Sequence, residues 1–410
     1  MDNRFIDLPQ IPIDQIMLIN AGWPAFKQKH PDAVNTTIGV LIDPDTSAPW
    51  QPRSVIKARQ QALEEINSNF EYGYQPQVGN LEFLDKAADF AFGKDLHKQI
   101  ASDLLACQTL GGTGALSFTK EVLASFIKPD GVGNIPLVLD PGWPNHPAIF
   151  TNPFAITTYD HVDPQTGEYN HSAAVKTIGN APRNTVLLLQ TCGYNDDGAD
   201  RSQKQWDEIF DIATELNATI VLDSAYIGLA DGLQTDRYPL EESIRRGLLT
   251  FICLSTSKNM GLYSERVGAL FVTNAKKYIG DKQYQNLRGL IARAVRRTIS
   301  SPPLLAAKAA GIALVSSEYL EELEQARKKL LTTRNLFAES VLSELPHIAH
   351  GKGLFTKIFP EGFNNAQQAL LEREGILALP NSRLNLGALQ AAQVEKVSSV
   401  IISALKLKSH

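Results

Sequence analysis

The chain has 410 residues, of which 43% are hydrophobic and 20% charged, and its formal net charge is -5 at pH 7. This composition is typical of a globular protein with two or three core-bearing units. Because the net charge is negative and no Lys/Arg run dominates, nucleic acid and acidic membranes are excluded as main partners. The first ten residues lack the apolar core of a secretory signal and every apolar run is too short to cross a bilayer, so we expect a cytoplasmic protein.

The three cysteines, Cys107, Cys192 and Cys253, are far apart in the sequence and odd in number. Their spacing fits neither a disulfide framework nor a zinc site. We therefore expect three reduced thiols, as is usual in the cytoplasm, and no bound metal.

Four short apolar runs, each ending in a polar or small residue, are the clearest sign of secondary structure. They do not alternate between apolar and polar residues, and continuous runs of this length are typical of strands buried on both faces of a parallel sheet. The runs cover residues 135–140, 185–190, 219–224 and 251–257.

Helices are predicted between and after these strands. Residues 202–216 begin with Ser202 and have Gln205 three places later, which is a capping box, and apolar residues follow at helical spacing. Residues 113–127 form a second predicted helix, opened by the glycine-rich segment GGTG. A long, charge-rich helix is predicted over residues 316–345. The alternation of strands and helices predicts an α/β layer architecture.

Three regions are predicted along the chain. Residues 1–45 form an N-terminal arm and part of a small domain, residues 46–304 form a large domain, and residues 305–410 form a smaller α/β C-terminal domain. The large domain is expected to hold a mixed, mainly parallel sheet covered by helices. The long helix would connect the two domains.

Polar side chains collect at and just beyond the carboxyl ends of the predicted strands, where open α/β sheets bind their ligands. They supply an aromatic ring, an amide, a carboxylate, a phenol, a hydroxyl and an amine. Such a set suits a flat heteroaromatic cofactor that carries a phosphate and an aldehyde, and pyridoxal 5′-phosphate has these parts. The residues are Trp143, Asn195, Asp223, Tyr226, Ser255 and Lys258.

Lys258 directly follows a buried apolar run, and an unpaired ammonium is costly to bury. Its amine can form a Schiff base with the aldehyde if its pKa is lowered. Asp223 would keep the pyridine nitrogen protonated, so that the ring acts as an electron sink. Trp143 would stack on the ring, while Asn195 and Tyr226 would donate to its phenolic oxygen.

A phosphate requires positive charge and hydrogen-bond donors. The backbone amides at Gly112 and Thr113 open a predicted helix, whose N-terminal end attracts anions. Ser255 adds a hydroxyl, and Arg266 adds a cation that can bind a phosphate with two nitrogens. We therefore predict that these four residues bind the phosphate.

Eight segments and Asn195 resemble the fold-type I, class I aminotransferases, in particular the aspartate/aromatic aminotransferase group. They occur in the family's order between residues 34 and 389. The resemblance rests on all of these segments in this order and not on any single one. The segments are VNTTIGV (34–40), YQPQVG (74–79), QTLGGTGAL (108–116), PGWPNH (141–146), DSAY (223–226), STSKNMGLYSERVGAL (255–270), VRRTISSPP (295–303) and NSRLNLGAL (381–389).

The resemblance implies a role for each matching residue. Lys258 corresponds to the Schiff-base lysine that also moves a proton between substrate and cofactor, and Asp223 to the partner of the ring nitrogen. His146 corresponds to the histidine that supports this aspartate. Arg383 resembles the arginine that binds the substrate α-carboxylate, and Arg296 an arginine from the neighbouring subunit that recognises a distal carboxylate.

Five further residues take roles in the site implied by the same resemblance. Tyr74 resembles a tyrosine that binds the phosphate across a dimer interface, and we count it with Tyr226 among the catalytic residues. Gly39 matches a glycine that covers the substrate, and Trp143 and Asn195 are expected to contact it. Enzymes of this group are homodimers with shared active sites, so a homodimer is expected here.

The sequence also departs from the family pattern. Gln190 stands where the family has a histidine. Asp196 stands where the family has a proline after the asparagine that corresponds to Asn195. Gly111 occupies a position where serine is common, which removes one phosphate-binding hydroxyl. Arg297 and Ile299 differ from the usual residues beside the side-chain pocket, so they bear on specificity.

The predicted activity is ping-pong transfer of an amino group between an L-amino acid and a 2-oxo acid, with 2-oxoglutarate expected as the acceptor. Aspartate or glutamate and aromatic amino acids stay open as donors. The alternatives are a lyase or decarboxylase of the same fold type, a non-catalytic binding or regulatory protein that kept the fold, and a nucleotide-dependent oxidoreductase. The last is disfavoured because the GGTG segment lacks the third glycine of a dinucleotide-binding motif.

Overall fold

A computed structural model describes residues 15–43, 45–163 and 166–407, so the first part of the predicted N-terminal arm lies outside the described residues. The described strands are β1 (Val34–Asn35), β2 (Leu105–Thr109), β3 (Ile135–Leu139), β4 (Phe154–Thr157), β5 (Val186–Gln190), β6 (Thr219–Ser224), β7 (Thr250–Ser255), β8 (Gly268–Thr273), β9 (Phe355–Lys357), β10 (Ile376–Leu377) and β11 (Arg383–Asn385).

The strands are connected and flanked by α-helices. In the described part of the chain these are α1 (Gln15–Lys29), α2 (Arg53–Ser68), α3 (Leu81–Phe92), α4 (Lys94–Ile100), α5 (Gly111–Phe126), α6 (Asn145–Ile149), α7 (His171–Gly179), α8 (Gln203–Glu215), α9 (Leu233–Asp236), α10 (Tyr238–Arg245), α11 (Ala275–Thr298), α12 (Leu305–Leu314), α13 (Ser317–Val341), α14 (Asn365–Arg373) and α15 (Ala391–Leu405).

The central sheet has seven strands in the order β2-β8-β7-β6-β5-β3-β4. Strand β8 is antiparallel to both of its neighbours, and all other neighbouring pairs are parallel. The mixed, mainly parallel α/β sheet predicted from the sequence is confirmed, and β3, β5, β6 and β7 coincide with the four predicted runs. Register pairs Gln190 with Asp223 and Asp223 with Cys253, so the polar residues lie at one edge.

The central strands are uninterrupted runs of apolar residues because both faces of the sheet are covered. Successive side chains of a strand point to opposite faces. Leu187 and Leu189 of β5 pack into a core on one face, and Val186 and Leu188 pack into a second core on the other. All four are fully buried, and burying one such side chain stabilises the fold by about 1.5–3 kcal/mol.

The predicted helix boundaries follow from local hydrogen bonds. Ser202 caps α8, since its Oγ accepts from the backbone N–H of Gln205 at 3.3 Å and the Gln205 Oε1 accepts from the Ser202 N–H at 2.8 Å. This reciprocal pair confirms the predicted capping box. Trp206, Ile209 and Phe210 then form the buried face of α8, as the helical spacing predicts.

A smaller layer is formed by the C-terminal part of the chain and by β1. Strand β1 is parallel to β10, and β9 is antiparallel to β11. A third core joins Val34 of β1 with Phe337 and Val341 of α13 and with Val397 and Ile401 of α15. The first half of α13 instead packs on the core of the large sheet, so this helix connects both layers. The predicted boundary between residues 304 and 305 stays a prediction.

The three cysteines are buried and unbridged. Burial raises the pKa of the Cys107 thiol to about 12, which makes this thiol a poor nucleophile at neutral pH. None of the helices in the described ranges has both the length and the apolar character needed to span a bilayer.

Candidate active site

Lys258 lies in the turn that follows β7, and its side chain is half-buried. Its Nζ is 5.1 Å from the centre of the Tyr226 ring. The pKa of Lys258 is lowered to about 8, and burial is the largest cause. The Asp223 carboxylate acts in the opposite direction, and the nearby cations Arg266 and Arg383 add to the lowering. A substantial fraction of neutral amine near neutral pH is what a nucleophilic lysine requires.

Asp223 lies near the end of β6 and is 8% exposed. One of its oxygens, Oδ2, is 2.9 Å from Nε2 of the fully buried His146 in α6. The other, Oδ1, is buried without a hydrogen-bond partner among the described residues. A buried carboxylate oxygen without a donor is costly, so this atom marks the place of a donor that a ligand would supply.

Trp143 stands beside this pair of residues. Its ring centre is 4.8 Å from that of His146, and the two rings are perpendicular. The indole is half-buried, so part of it remains accessible. Trp143, His146 and Asp223 were predicted to lie around the same cofactor ring. The structure brings the three together at the carboxyl edge of the sheet.

An anion cradle, formed by Gly111, Gly112, Ser255, Ser257 and Arg266, lies where α5 begins. Arg266 Nη1 donates to Ser257 Oγ at 3.0 Å and to the Tyr263 carbonyl at 2.9 Å. Within the described part of the chain, its hydrogen bonds go to a hydroxyl and to carbonyl oxygens, so no carboxylate neutralises its charge. A free cation beside a helix N-terminus suits a phosphate.

Two glycines allow the close approach of backbone and side chains in this cradle. A Cβ at Gly112 would lie 3.2 Å from Ser255 Cβ. Gly111 has φ +68, and a Cβ there would lie 2.6 Å from Arg266 Nη2. The positive φ at Gly111 is a conformation that serine rarely adopts, and the end of the flexible Arg266 side chain would have to move to admit a serine side chain.

Arg383 begins β11 and is buried. Its Nη1 donates to Asn195 Oδ1 at 2.9 Å, its Nη2 donates to the Thr37 carbonyl at 2.6 Å, and its guanidinium lies 4.6 Å from the centre of the Phe355 ring. The cation–π contact and the two hydrogen bonds hold the guanidinium in one orientation. This arrangement can bind a carboxylate.

Gly39 lies against the rings of Phe355 and Tyr226. A Cβ at Gly39 would be 3.1 Å from Phe355 Cζ and 3.7 Å from Tyr226 Oη, so a larger residue would push the N-terminal segment away. The rings of Tyr226 and Phe355 are perpendicular, with centres 5.7 Å apart. Burial raises the pKa of Tyr226 well above its usual range, so its hydroxyl stays protonated and can donate.

The profile of the family described as "Aminotransferase class I and II" matches residues 32–401. The chain belongs to this family. It is 27% identical over 417 residues to the cytoplasmic aspartate aminotransferase of Schizosaccharomyces pombe, covering 99% of both chains. It is 28% identical over 389 residues to the aromatic-amino-acid aminotransferase of Escherichia coli, covering 91% of this chain and 94% of the other.

A solved structure supports the same assignment. The aromatic-amino-acid aminotransferase of Burkholderia pseudomallei, described as covalently bound to pyridoxal phosphate, superposes with a TM-score of 0.88 at 25% identity. The alignment covers 98% of this chain and all of that one. The fold-type I fold and the transaminase activity predicted from the sequence are therefore confirmed, and the lyase, regulatory and oxidoreductase alternatives are not favoured.

Two residues predicted for the site lie elsewhere in this aminotransferase chain. Tyr74 is 93% exposed. Arg296 is exposed near the end of α11, where its Nη1 donates to Ser300 Oγ. Within a single chain the structure brings neither to Lys258. Both were predicted to act across a subunit interface, and their roles stay predictions.

Sequence reasoning missed three residues of this aminotransferase site. Ser257 contacts Arg266, and its position beside Lys258 was a signal that could have identified it. Phe355 contacts Arg383 of the paired strand β11 and Tyr226, which is more than a hundred positions earlier in the chain, and no local pattern indicates these contacts. Gln190 was noted only as a departure from the family, whereas its side chain binds the backbone of Asn195.

Proposed function

We propose that this aminotransferase binds pyridoxal 5′-phosphate at the carboxyl edge of the sheet, with Lys258 as the residue that holds its aldehyde carbon. The family depends on this cofactor, and the observation that carries the proposal for these residues is Asp223 Oδ1, buried and without a donor near a lysine of lowered pKa. When bound, the cofactor supplies a protonated pyridine ring that withdraws electrons from the substrate Cα.

The remaining residues of the edge hold that group. Asp223 would keep the proton on the ring nitrogen, and its 2.9 Å contact with His146 fixes the carboxylate in place. Trp143 would cover one face of the ring. Asn195 and Tyr226 would donate hydrogen bonds to the ring oxygen.

The phosphate is assigned to the anion cradle. The backbone amides of Gly112 and Thr113 at the start of α5, the hydroxyl of Ser255 and the guanidinium of Arg266 supply donors and positive charge there. Tyr74 of a second subunit would complete this set.

Arg383 binds the α-carboxylate of the substrate, and the backbone at Gly39 closes over it. Lys258 then takes the proton from Cα and later returns one, which its pKa of about 8 permits near neutral pH. The amino group is passed on in a second half-reaction to a 2-oxo acid, for which we propose 2-oxoglutarate. Ping-pong kinetics follow from this order.

We propose that the enzyme is a homodimer with shared active sites. Phe70, Tyr72 and Tyr74 are 78%, 67% and 93% exposed, and neighbouring aromatic rings exposed to this degree are typical of an interface. Arg296, also exposed, would reach the partner's site. A cytoplasmic location is proposed as well, supported by the description of the Schizosaccharomyces pombe relative as cytoplasmic.

A pocket with Arg383 at one end and Arg296 at the other would favour dicarboxylic donors, aspartate and glutamate, because a buried arginine left unpaired disfavours a neutral side chain. Aromatic donors are retained in the proposal, because relatives of similar identity are described as aspartate and as aromatic-amino-acid aminotransferases.

Substitution of Arg296 by alanine tests this substrate assignment. We expect kcat/KM for aspartate to fall about 10- to 100-fold, because an ion-paired hydrogen bond is lost, while phenylalanine changes little. Arg293→Ala, an exposed arginine of the same helix, is the control. Equal losses for both donors would show that Arg296 does not read the distal carboxylate.

The cofactor assignment is tested separately with Lys258→Ala. Wild-type protein should acquire visible absorption with pyridoxal phosphate, and its colour should change in a single turnover when an amino acid is added. The variant should bind the cofactor reversibly and lose turnover. A wild-type protein that shows no absorption change with pyridoxal phosphate would contradict the proposal.

A further inference from the structure

We infer that Gln190 is a positioning residue that fixes Asn195 in the orientation required for the reaction. Its Nε2 donates to the Asn195 carbonyl at 2.9 Å, and its Oε1 accepts from the Asn195 N–H at 3.1 Å. The inference rests on the proposed function, in which Asn195 contacts both the cofactor and the substrate. Gln190 itself would touch neither.

The two bonds depend on the chemistry of a carboxamide. Its donor and acceptor lie side by side in one plane, as in a peptide bond, so Gln190 pairs with the Asn195 backbone as a neighbouring strand would. The histidine that the family has at this position carries two nitrogens that point apart, and it cannot make both bonds to one residue. Gln190 and Asn195 are each 6% exposed, so water competes little for these bonds.

The chain needs this restraint because Asp196 follows Asn195 where the family has proline. A proline fixes its own φ and restricts the backbone of the preceding residue, and aspartate does neither. The Asn195 backbone is instead held between the Gln190 side chain and Gly142, at which a Cβ would lie only 2.3 Å from the Asn195 carbonyl oxygen. Gln190 thus replaces a covalent restraint by a hydrogen-bonded one.

The restraint reaches the chemistry through the Asn195 side chain. Asn195 Oδ1 accepts from Arg383 Nη1 at 2.9 Å, which leaves the Asn195 amide N–H groups to donate toward the cofactor. Displacing the Asn195 backbone would therefore disturb both the arginine that binds the α-carboxylate and the donor to the ring oxygen.

The backbone of position 190 is held by other contacts, so a substitution there should change the side-chain contacts without displacing the strand. The Gln190 N–H donates to Asp140 Oδ2 at 2.8 Å, its carbonyl accepts from Arg201 Nη1 at 3.4 Å, and its neighbour in the sheet is Asp223. An acid placed there would lie near these two carboxylates and this guanidinium, and near Arg383, which is bonded to Asn195.

Two substitutions test the inference in the holoenzyme, with succinate as an unreactive dicarboxylate probe. Gln190→Leu removes both bonds, and we expect the affinities for succinate and for pyridoxal phosphate to fall about tenfold at every pH. Gln190→Glu keeps donor and acceptor side by side only while its carboxyl is protonated. Its succinate affinity relative to wild type should therefore be near one at low pH and fall about tenfold as the pH rises.

Gln367→Glu is the matched control. Gln367 is also buried, accepts from the Asn364 N–H at 2.9 Å and donates to the Ala404 carbonyl at 3.2 Å, but lies in the smaller layer. It should bind succinate as wild type does. The titration is followed by the visible absorption of the bound cofactor, and a merely structural role of Gln190 would not produce the pH-dependent ratio.

Several outcomes would overturn the inference. It is wrong if both Gln190 variants bind succinate and pyridoxal phosphate as wild type does, or if the Gln190→Glu ratio does not change with pH. Should Gln190→Leu fail to fold, Gln190→Glu decides alone. A wild-type protein that binds no pyridoxal phosphate overturns the proposed function and this inference together, whereas normal wild-type binding with unaffected variants overturns this inference alone.

Discussion

At the scale of single residues, the lowered pKa of Lys258 results from opposing effects on one amine. Burial disfavours the ammonium form, and Arg266 and Arg383 repel it, whereas Asp223 attracts it. Burial is the largest of these effects, so the pKa falls from 10.5 to about 8. The same two arginines would bind anionic groups of cofactor and substrate, so ligand binding and lysine reactivity are electrostatically coupled.

This balance predicts how Lys258 responds to pH in cofactor-free protein. Because the charged form exists below the pKa and the neutral form above it, the reactive amine should be half-formed at about pH 8 instead of 10.5. Trace labelling with acetic anhydride at a series of pH values, followed by mass spectrometry of the peptide that contains Lys258, measures this fraction. Asp223→Asn should move the midpoint further down, since it removes the attracting charge.

Lys94, an exposed lysine at the start of α4, provides the internal reference in the same samples. If the labelling of Lys258 follows the reference curve across the whole pH range, the lowered pKa and the nucleophilic role argued from it are both wrong.

At the scale of elements, one helix is capped by another. Helix α2 follows Pro52, which provides no side-chain cap. Glu322 of α13 takes this role: its Oε1 accepts from the Arg53 N–H at 2.9 Å, and its Oε2 accepts from the Ser54 N–H at 3.0 Å and from the Ser54 hydroxyl at 2.5 Å. A carboxylate at a helix N-terminus also interacts favourably with the helix dipole.

Glu322→Gln should loosen the start of α2 without unfolding the chain. The neutral amide can still accept one bond but loses the charge, so we expect a local cost of about 1–2 kcal/mol. Hydrogen exchange of the amides in the first turn of α2 should become about tenfold faster. Glu321→Gln, an exposed neighbour, is the control, and equal protection in both variants would contradict the capping role.

The contrast between this cap and the one on α8 shows what sequence alone can predict. Ser202 and Gln205 are three residues apart, so their reciprocal bonds are visible as a local pattern. Glu322 lies 268 positions from Ser54, and nothing near either residue indicates that they meet. Strands β5, β6 and β7 were predictable for the same local reason, because burial on both faces makes them continuously apolar.

The contacts of the candidate site likewise fall into those that the sequence can predict and those that it cannot. Asp223 lies at the end of one predictable strand and Lys258 follows another, and parallel order places such residues at one edge, so their proximity could be inferred. The contacts of Phe355 with Arg383 and of Gln190 with Asn195 depend on side-chain orientation in the folded chain, which periodicity does not encode. The resemblance to known aminotransferases supplied the remaining roles by position.

At the scale of the whole molecule, a single chain does not bring all residues of its proposed site together. Lys258 lies against the Tyr226 ring, which contacts Phe355 and through it Arg383, while Tyr74 and Arg296 lie on the surface. A second subunit would bring the exposed residues to the partner's lysine, and each chain would then depend on the other for activity toward dicarboxylic donors.

Mixed dimers of Lys258→Ala and Arg296→Ala chains, isolated with two different affinity tags, test this dependence. If Arg296 acts across the interface, the one site that keeps Lys258 receives Arg296 from the Lys258→Ala chain and is complete. The mixed dimer should then have about half the wild-type activity with aspartate, although both parent homodimers are impaired. If Arg296 serves its own chain, the lysine-bearing site lacks it, and the activity stays at the level of Arg296→Ala. If the chains do not associate, no doubly tagged species is recovered, and a shared site is excluded.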